Sequence, residues 1–320
     1  MALRVWILTD GKMGDRVQCL GVANRLGVDA EERTIRPGKP WEWFMPWGPV
    51  PPAHRPDSAS SPIAPPFPDL AIATGRRMVA YLKAIKAASG GRTFTVFLKD
   101  PHTGSSAADL IWVPRHDRLR GDNVLVSDTG PHPLTQEALA EAAANRPAAW
   151  DALPAPRLGL LIGDPVARAR DRRAALERFL REVDHAKAES GSIIVTQSRR
   201  TPEDVMTALR ARLAGFPHWI WSPEEDNPYR ALLGFCDMLA VTADSHNMVS
   251  EALFTGKPVF PVITEGLNPK LARFLAKLEA DGLVRPFSGS LAPYSYEPVD
   301  ATALIAEAIQ QAMRERATKA

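Results

Sequence analysis

VTADSHNMVSEALFTGKPVFPV, residues 241–262, reads as a buried strand, a polar turn, a helix, a Gly-Lys-Pro corner and a second buried strand. Such a β-α-β unit makes a parallel sheet, and open α/β sheets bind ligands beyond the carboxyl ends of their strands. The polar turn Ala243-Asp244-Ser245-His246-Asn247 falls at that edge. Asp244 or Ser245 can cap the helix that follows, whose free N–H groups and positive dipole end then favour an anion. Glu251 does not fit a capping box, because with Ser245 as the cap that position falls on Met248. Helical spacing puts Val249, Ala252 and Leu253 on the apolar face and leaves Glu251 at its border. A carboxylate there suits the two donors of a ribose cis-diol, although a solvated helix glutamate fits the pattern as well.

The rest of the chain repeats this alternation. Apolar runs at 3–8, 69–74, 94–98, 110–113 and 124–126 read as strands, with helices expected over 17–26 and 77–88. After a proline-rich stretch at 145–157, strands are expected at 158–162, 192–196, 218–221 and 238–242, and helices at 166–189, from Pro202 onward, at 228–234 and at 301–316. The 320 residues therefore suggest two doubly wound α/β domains. They are expected at 1–150 and 158–298, facing each other across a ligand cleft, with residues 299–320 forming a helix that can pack back on the first domain. The segment 37–68, rich in proline and holding three tryptophans, interrupts this order. It reads as an irregular functional loop, either anchored on its own domain by those tryptophans or touching something apolar.

Composition narrows the function. With 39 basic and 37 acidic residues the formal net charge is only +2, which argues against bulk nucleic-acid binding. Cys19 and Cys236 lie far apart and lack neighbours at metal-ligand spacing, so a reducing cytoplasm is expected. No window approaches about 18 uninterrupted apolar residues, and the chain opens directly on a strand. The protein is expected to be soluble, or at most peripheral at the inner face of a membrane.

Two sets of motifs resemble known families. Residues 237–259 are similar to the nucleotide-sugar end of GT-B glycosyltransferases, the architecture of two facing Rossmann-like domains, such as the enzyme that adds N-acetylglucosamine to lipid-linked muramyl peptide. That resemblance implies Glu251 on the donor ribose and Asp244, Ser245, His246 and Asn247 beside the donor diphosphate. The ordered motifs WILTDGK, IATGRR, KDPH, VPRHDRL, NVLV, TQSRRTP, NPY and VTADSHNMVSEA resemble the mitochondrial fission (elongated-mitochondria) family and its bacterial relatives over nearly the whole chain. The absence of a presequence suits a bacterial member. Plant members are associated with recruiting a dynamin-like protein.

Further loops supply candidates. Ser198, Arg199 and Arg200 follow a strand and precede a helix, a place suited to a diphosphate. Gly163 allows close backbone approach to a ligand, and Tyr229 can stack on a base or simply pack. In the first domain Asp10-Gly11-Lys12-Met13-Gly14-Asp15 lacks both dinucleotide and P-loop spacing, so Gly11, Lys12 and Gly14, with Arg76 of a second loop, are assigned to an acceptor or phosphate loop. In the muramyl-lipid enzyme the comparable loop ends in His, whereas Asp15 stands here. Asp10, Asp15, Asp100 and His102 are the candidate general bases, each of which alone also fits a structural role. No metal motif is present, so no metal and no cofactor are expected, leaving-group charge being met by helix N-termini and arginines. The reading is a metal-independent glycosyltransferase that uses a nucleoside-diphosphate sugar and a lipid-linked or glycan acceptor, in cell-envelope glycan synthesis. Its alternatives are a nucleotide-sugar epimerase on the same fold and a non-catalytic adaptor.

Overall fold

The computed structural model describes residues 3–263, 265–287 and 290–319. The chain divides into two compact units, residues 1–133 with 300–320, and residues 134–299.

The first unit opens with β1 (Val5–Thr9), α1 (Met13–Arg25), β2 (Ala30–Thr34) and the one-turn helix α2 (Trp41–Phe44). It continues with β3 (Leu70–Thr74), α3 (Met78–Ala88), β4 (Phe94–Leu98), β5 (Leu110–Pro114) and β6 (Val124–Ser127). The sheet is parallel, in the order β2-β1-β3-β4-β5-β6. β1, β3, β4 and β5 are buried at every position, as expected of strands covered on both faces. β2, with the sequence AEERT, lies at the sheet edge and is largely exposed. Its polar composition hides it from a search for apolar runs.

The second unit holds α4 (Gln136–Ala144), β7 (Arg157–Ile162), α5 (Arg172–Glu189), β8 (Ser192–Gln197), α6 (Glu203–Leu213) and β9 (His218–Ile220). α7 (Tyr229–Phe235), β10 (Met238–Thr242), α8 (His246–Leu253), β11 (Val259–Val262) and α9 (Pro269–Ala280) complete it. Its sheet is also parallel, in the order β11-β10-β7-β8-β9. The last helix, α10 (Ala301–Lys319), belongs to the first unit. There Ile305 and Ile309 share a buried cluster with Cys19 and Val22 of α1, and Asp300 pairs with Arg25. The fold is thus α/β with two parallel, Rossmann-like sheets.

Three expectations shift. The proline-rich stretch 145–157 lies inside the second unit, and the chain leaves the first unit after Pro133 instead. Trp150 is the cause: it is fully buried, with its ring edge-on to Trp219 at 5.3 Å and near Phe235 at 5.7 Å. Removing a side chain so placed costs about 3–5 kcal/mol, which fixes the stretch to that core despite its prolines. The long charged helix begins at Arg172 rather than Val166, because the Asp171 side chain accepts a hydrogen bond from Ala174 N and caps it there. In the segment 37–68 the buried anchors are Met45, Val50 and Ile63, whereas Trp43, Phe44 and Trp47 stand in solvent. Trp43 and Trp47 do not anchor this loop, while Trp41 is half-buried.

Candidate functional site

In the second unit, the candidates converge where β7, β10 and β11 end. Thr242 closes β10, and its Oγ1 accepts a hydrogen bond from Gly163 N at 2.7 Å while donating to Asp244 Oδ1 at 2.7 Å. Asp244 Oδ2 accepts from Asp164 N at 3.0 Å and pairs with the Arg200 guanidinium at 3.0 Å. A Cβ on residue 163 would lie 2.2 Å from Asp244 Oδ1, so glycine is required where the two loops meet. Asp164, Arg168, Arg200 and Asp244 line a pocket of about 130 Å³ together with Glu265 and Asn268 of the loop after β11. Thr242, Glu265 and Asn268 are missing from the sequence reading, because nothing in the local sequence shows that this loop meets the turn after β7.

The polar turn resolves into separate roles. Ser245 caps α8, its Oγ accepting from Met248 N at 3.4 Å. His246 opens the helix and lies against the Phe274 ring, centroid to centroid 4.3 Å. Asn247 sits in the first helical turn. Arg199 and Arg200 part company: Arg200 meets Asp244 and lines the pocket, whereas Arg199 is exposed and does not line it. Ser198 serves its own turn, its N–H donating to Thr201 Oγ1 at 3.0 Å and its Oγ accepting from Arg200 N at 3.1 Å.

A second polar chain crosses the same unit. Thr196 Oγ1, at the end of β8, donates to Asn227 Oδ1 at 3.1 Å, and the same oxygen accepts from Tyr229 N at 3.0 Å. The Tyr229 hydroxyl donates to Glu251 Oε2 at 2.5 Å. Burial pushes the Glu251 carboxyl up to about 7, against the opposing pull of the Tyr229 hydroxyl and Arg230. Burial and the Glu251 charge raise the Tyr229 phenol well above its ordinary value. Tyr229 therefore positions a carboxylate, and its ring packs on the apolar core of the unit. Glu251 is a half-buried, partnered group rather than a solvated one.

In the first unit, three successive strand ends turn through left-handed backbone, at Gly11 (φ +89°), Gly75 (φ +87°) and Lys99 (φ +83°). His102, on the same loop as Lys99, also has positive φ, +58°. For a non-glycine residue such backbone costs about 1–3 kcal/mol and clusters at functional sites. Asp10 is almost fully buried and pairs with Lys12 at 3.2 Å and Arg77 at 3.1 Å, and Arg77 also meets Glu42 at 3.1 Å. Burial pushes the Asp10 carboxyl up, but the Lys12 ammonium and the Arg77 guanidinium outweigh it and hold the group below the usual carboxylate range. Asp15 pairs with Lys99 at 2.5 Å. Gly14 and Asp15 belong to the first turn of α1 and not to the loop, because α1 starts at Met13. Arg76 is exposed, while Arg77 makes the ion pairs. Asp100 Oδ1 accepts from His102 N at 2.8 Å, and His102 Nδ1 lies 3.8 Å from the same oxygen.

A family model described as mitochondrial fission ELM1 matches residues 13–313. The chain belongs to that family. It is 28% identical over 276 residues to the mitochondrial fission protein ELM1 of Arabidopsis thaliana, a match covering 78% of this chain and 65% of that protein. It thus spans less than two thirds of the length of this ELM1 relative. Among solved structures it is similar to MurG of Acinetobacter baumannii, with a TM-score of 0.50, 14% identity, and coverage of 99% of this chain and 94% of that one. It is also similar to a Neisseria meningitidis UDP-GlcNAc 2-epimerase bound to UDP-GlcNAc, with a TM-score of 0.51, 11% identity, and coverage of 98% and 100%. At such identities the likeness shows the fold, which this ELM1 family member shares with glycosyltransferases of the GT-B kind and with nucleotide-sugar epimerases. Among the described residues no group of His, Cys, Asp and Glu could hold a metal ion, and no helix is long and apolar enough to cross a membrane.

Proposed function

We propose that this protein is a metal-independent glycosyltransferase, acting in the cytoplasm on a nucleoside-diphosphate sugar. The donor ribose is read onto Glu251 and the diphosphate onto the strand-end pocket with Arg200. The observation that carries this reading is the Tyr229–Glu251 pair at 2.5 Å. It holds a half-buried carboxylate on the helix that follows β10, in a fold that carries UDP-GlcNAc in a solved neighbour.

The acceptor, lipid-linked or a glycan of the cell envelope, is assigned to the strand ends of the first unit. Asp10 and Asp15 are committed to lysine and arginine partners. Asp10, held low by its cations, is a weak base, since a general base works best with its pKa near the operating pH. The base is therefore assigned to His102, with Asp100 fixing its loop through the bond to His102 N.

A second reading, a non-catalytic adaptor, is favoured by the same ion pairs. Asp244 already meets Arg200, and Asp10 and Asp15 already meet cations. Titration with UDP-GlcNAc, UDP and uridine, followed by incubation of the nucleotide sugar without acceptor, separates the readings. Binding that grows from nucleoside to diphosphate supports the transferase. Isomerised nucleotide sugar identifies an epimerase, and no nucleotide binding at all identifies the adaptor.

A further inference from the structure

The loop that links β2 to β3 in the first unit shows large apolar side chains to solvent on a fixed support. Trp43 is 64% exposed, Phe44 58% and Trp47 75%. Soluble proteins rarely leave such side chains grouped in water without a use for them. They are firmly presented: Met45 and Val50 between and beyond them are buried in the core. Trp47 N and Gly48 N both donate to Phe44 O, at 3.0 and 2.7 Å. A Cβ on residue 48 would lie 2.5 Å from Phe44 Cβ, so the glycine lets the turn close beneath the aromatic rings.

Two lysines, Lys39 and Lys83, stand against the patch. Glu42, the acid of α2, is engaged by Arg77. Arg36, Lys39 and Lys83 are exposed, and among the described residues none of the three makes an ion pair. Lys39 Nζ stands 6.0 Å over the Trp43 ring. Lys83 lies at a shallow groove of about 550 Å³ lined by Trp47, Pro49, Val50, Ala80 and Ala84.

We propose that this loop and the adjoining face of α3 dock the protein on an anionic phospholipid surface. Tryptophan with flanking lysine suits the bilayer interface, where the ring lies among the headgroups and the ammonium reaches lipid phosphate. A dry protein interface fits less well, because its core is depleted of lysine and Lys39 sits over the ring of the patch. Pro40, Pro46 and Pro49 carry no N–H, which spares the loop backbone donors that a water-poor interface would leave unmatched. This surface does not depend on the transferase reading.

Co-sedimentation of the full chain with vesicles of phosphatidylcholine alone, and of phosphatidylcholine with phosphatidylglycerol, tests the proposal. The wild type binds the mixed vesicles and far less the neutral ones. Replacing Trp43, Phe44 and Trp47 together with Ser lowers affinity for the mixed vesicles at least about tenfold, three apolar side chains being lost from the contact. Lys39→Glu with Lys83→Glu, a change of exposed groups only, removes the preference for phosphatidylglycerol, while Ile263→Ser, 60% exposed in the second unit, changes neither. Lack of vesicle binding by the wild type, or unchanged binding by the serine variant, overturns the proposal. So does a concentration-dependent dimer in sedimentation velocity that the serine variant disperses, which would assign the patch to a second copy of the chain.

Discussion

The hydroxyl of Tyr229, at the start of α7, donates a 2.5 Å hydrogen bond to Oε2 of Glu251 on α8. The bond fixes a carboxylate whose burial raises it to about 7 from an ordinary 4.5. Between those values the unfolded chain has lost this proton while the folded chain keeps it. The folded state then binds more protons, so this group's contribution to stability is full below about pH 4.5 and declines as pH rises to about 7. The shift corresponds to an amount on the order of 3 kcal/mol. Urea midpoints of the wild type should fall over this range relative to those of Glu251→Gln, which has nothing to titrate. Parallel pH profiles would show that Glu251 is ionised throughout.

The same pair sets a binding expectation. Glu251→Gln should weaken nucleotide binding by about 1.5–3 kcal/mol, the value of a hydrogen bond to a charged group. Tyr229→Phe should lose less, since it removes the orienting bond and not the acceptor. Calorimetry on both variants checks the order, and equal losses would mean that the tyrosine touches the ligand.

Arg199 and Arg200 are neighbours in sequence with different surroundings. Only Arg200 lines the pocket, where it pairs with Asp244. Arg200→Ala should weaken a nucleoside diphosphate far more than its nucleoside, because only the former presents charge to the guanidinium, and the loss should shrink at high salt. Arg199→Ala should leave both near wild type. Titrations at two salt concentrations would show whether the arginines contribute equally, which would remove this distinction.

Gly163→Ala tests the packing of the site without removing a polar group. Its new Cβ would sit 2.2 Å from Asp244 Oδ1, and overpacking of this kind costs about 1–3 kcal/mol. A lower denaturation midpoint together with weaker diphosphate binding is expected. Wild-type values for both would mean that the loops part readily.

Much of this architecture is legible in the sequence because buried parallel strands are continuous apolar runs. β4 and β10 fall at 94–98 and 238–242, as their Phe-Thr-Val-Phe-Leu and Met-Leu-Ala-Val-Thr runs suggest. β2 escapes, since AEERT at a sheet edge has no apolar signal. α9 carries a readable start, Asn268 capping Lys270 N ahead of Pro269, that a search for strands passes over. The site is less legible. Helical spacing places Glu251 at the border of the apolar face, but nothing local links it to Tyr229, 22 positions earlier. The pairing of Asp10 with Arg77 and of Asp15 with Lys99 depends on three strand ends meeting, which composition cannot convey. Loop 37–68 misleads for a related reason: hydrophobicity predicts that tryptophans anchor, yet Met45 and Ile63 fill the core while Trp43 and Trp47 are left outside.

The central claim is that the second unit holds a nucleoside-diphosphate sugar through Glu251. Isothermal titration of a panel of nucleoside diphosphates, with UDP-GlcNAc among their sugars, into the wild type and Glu251→Gln tests it most directly. The account predicts saturable binding of at least one diphosphate by the wild type, weaker by about 1.5–3 kcal/mol in a variant that remains folded. Absence of binding across the panel, or binding that the Gln variant leaves unchanged, would contradict it.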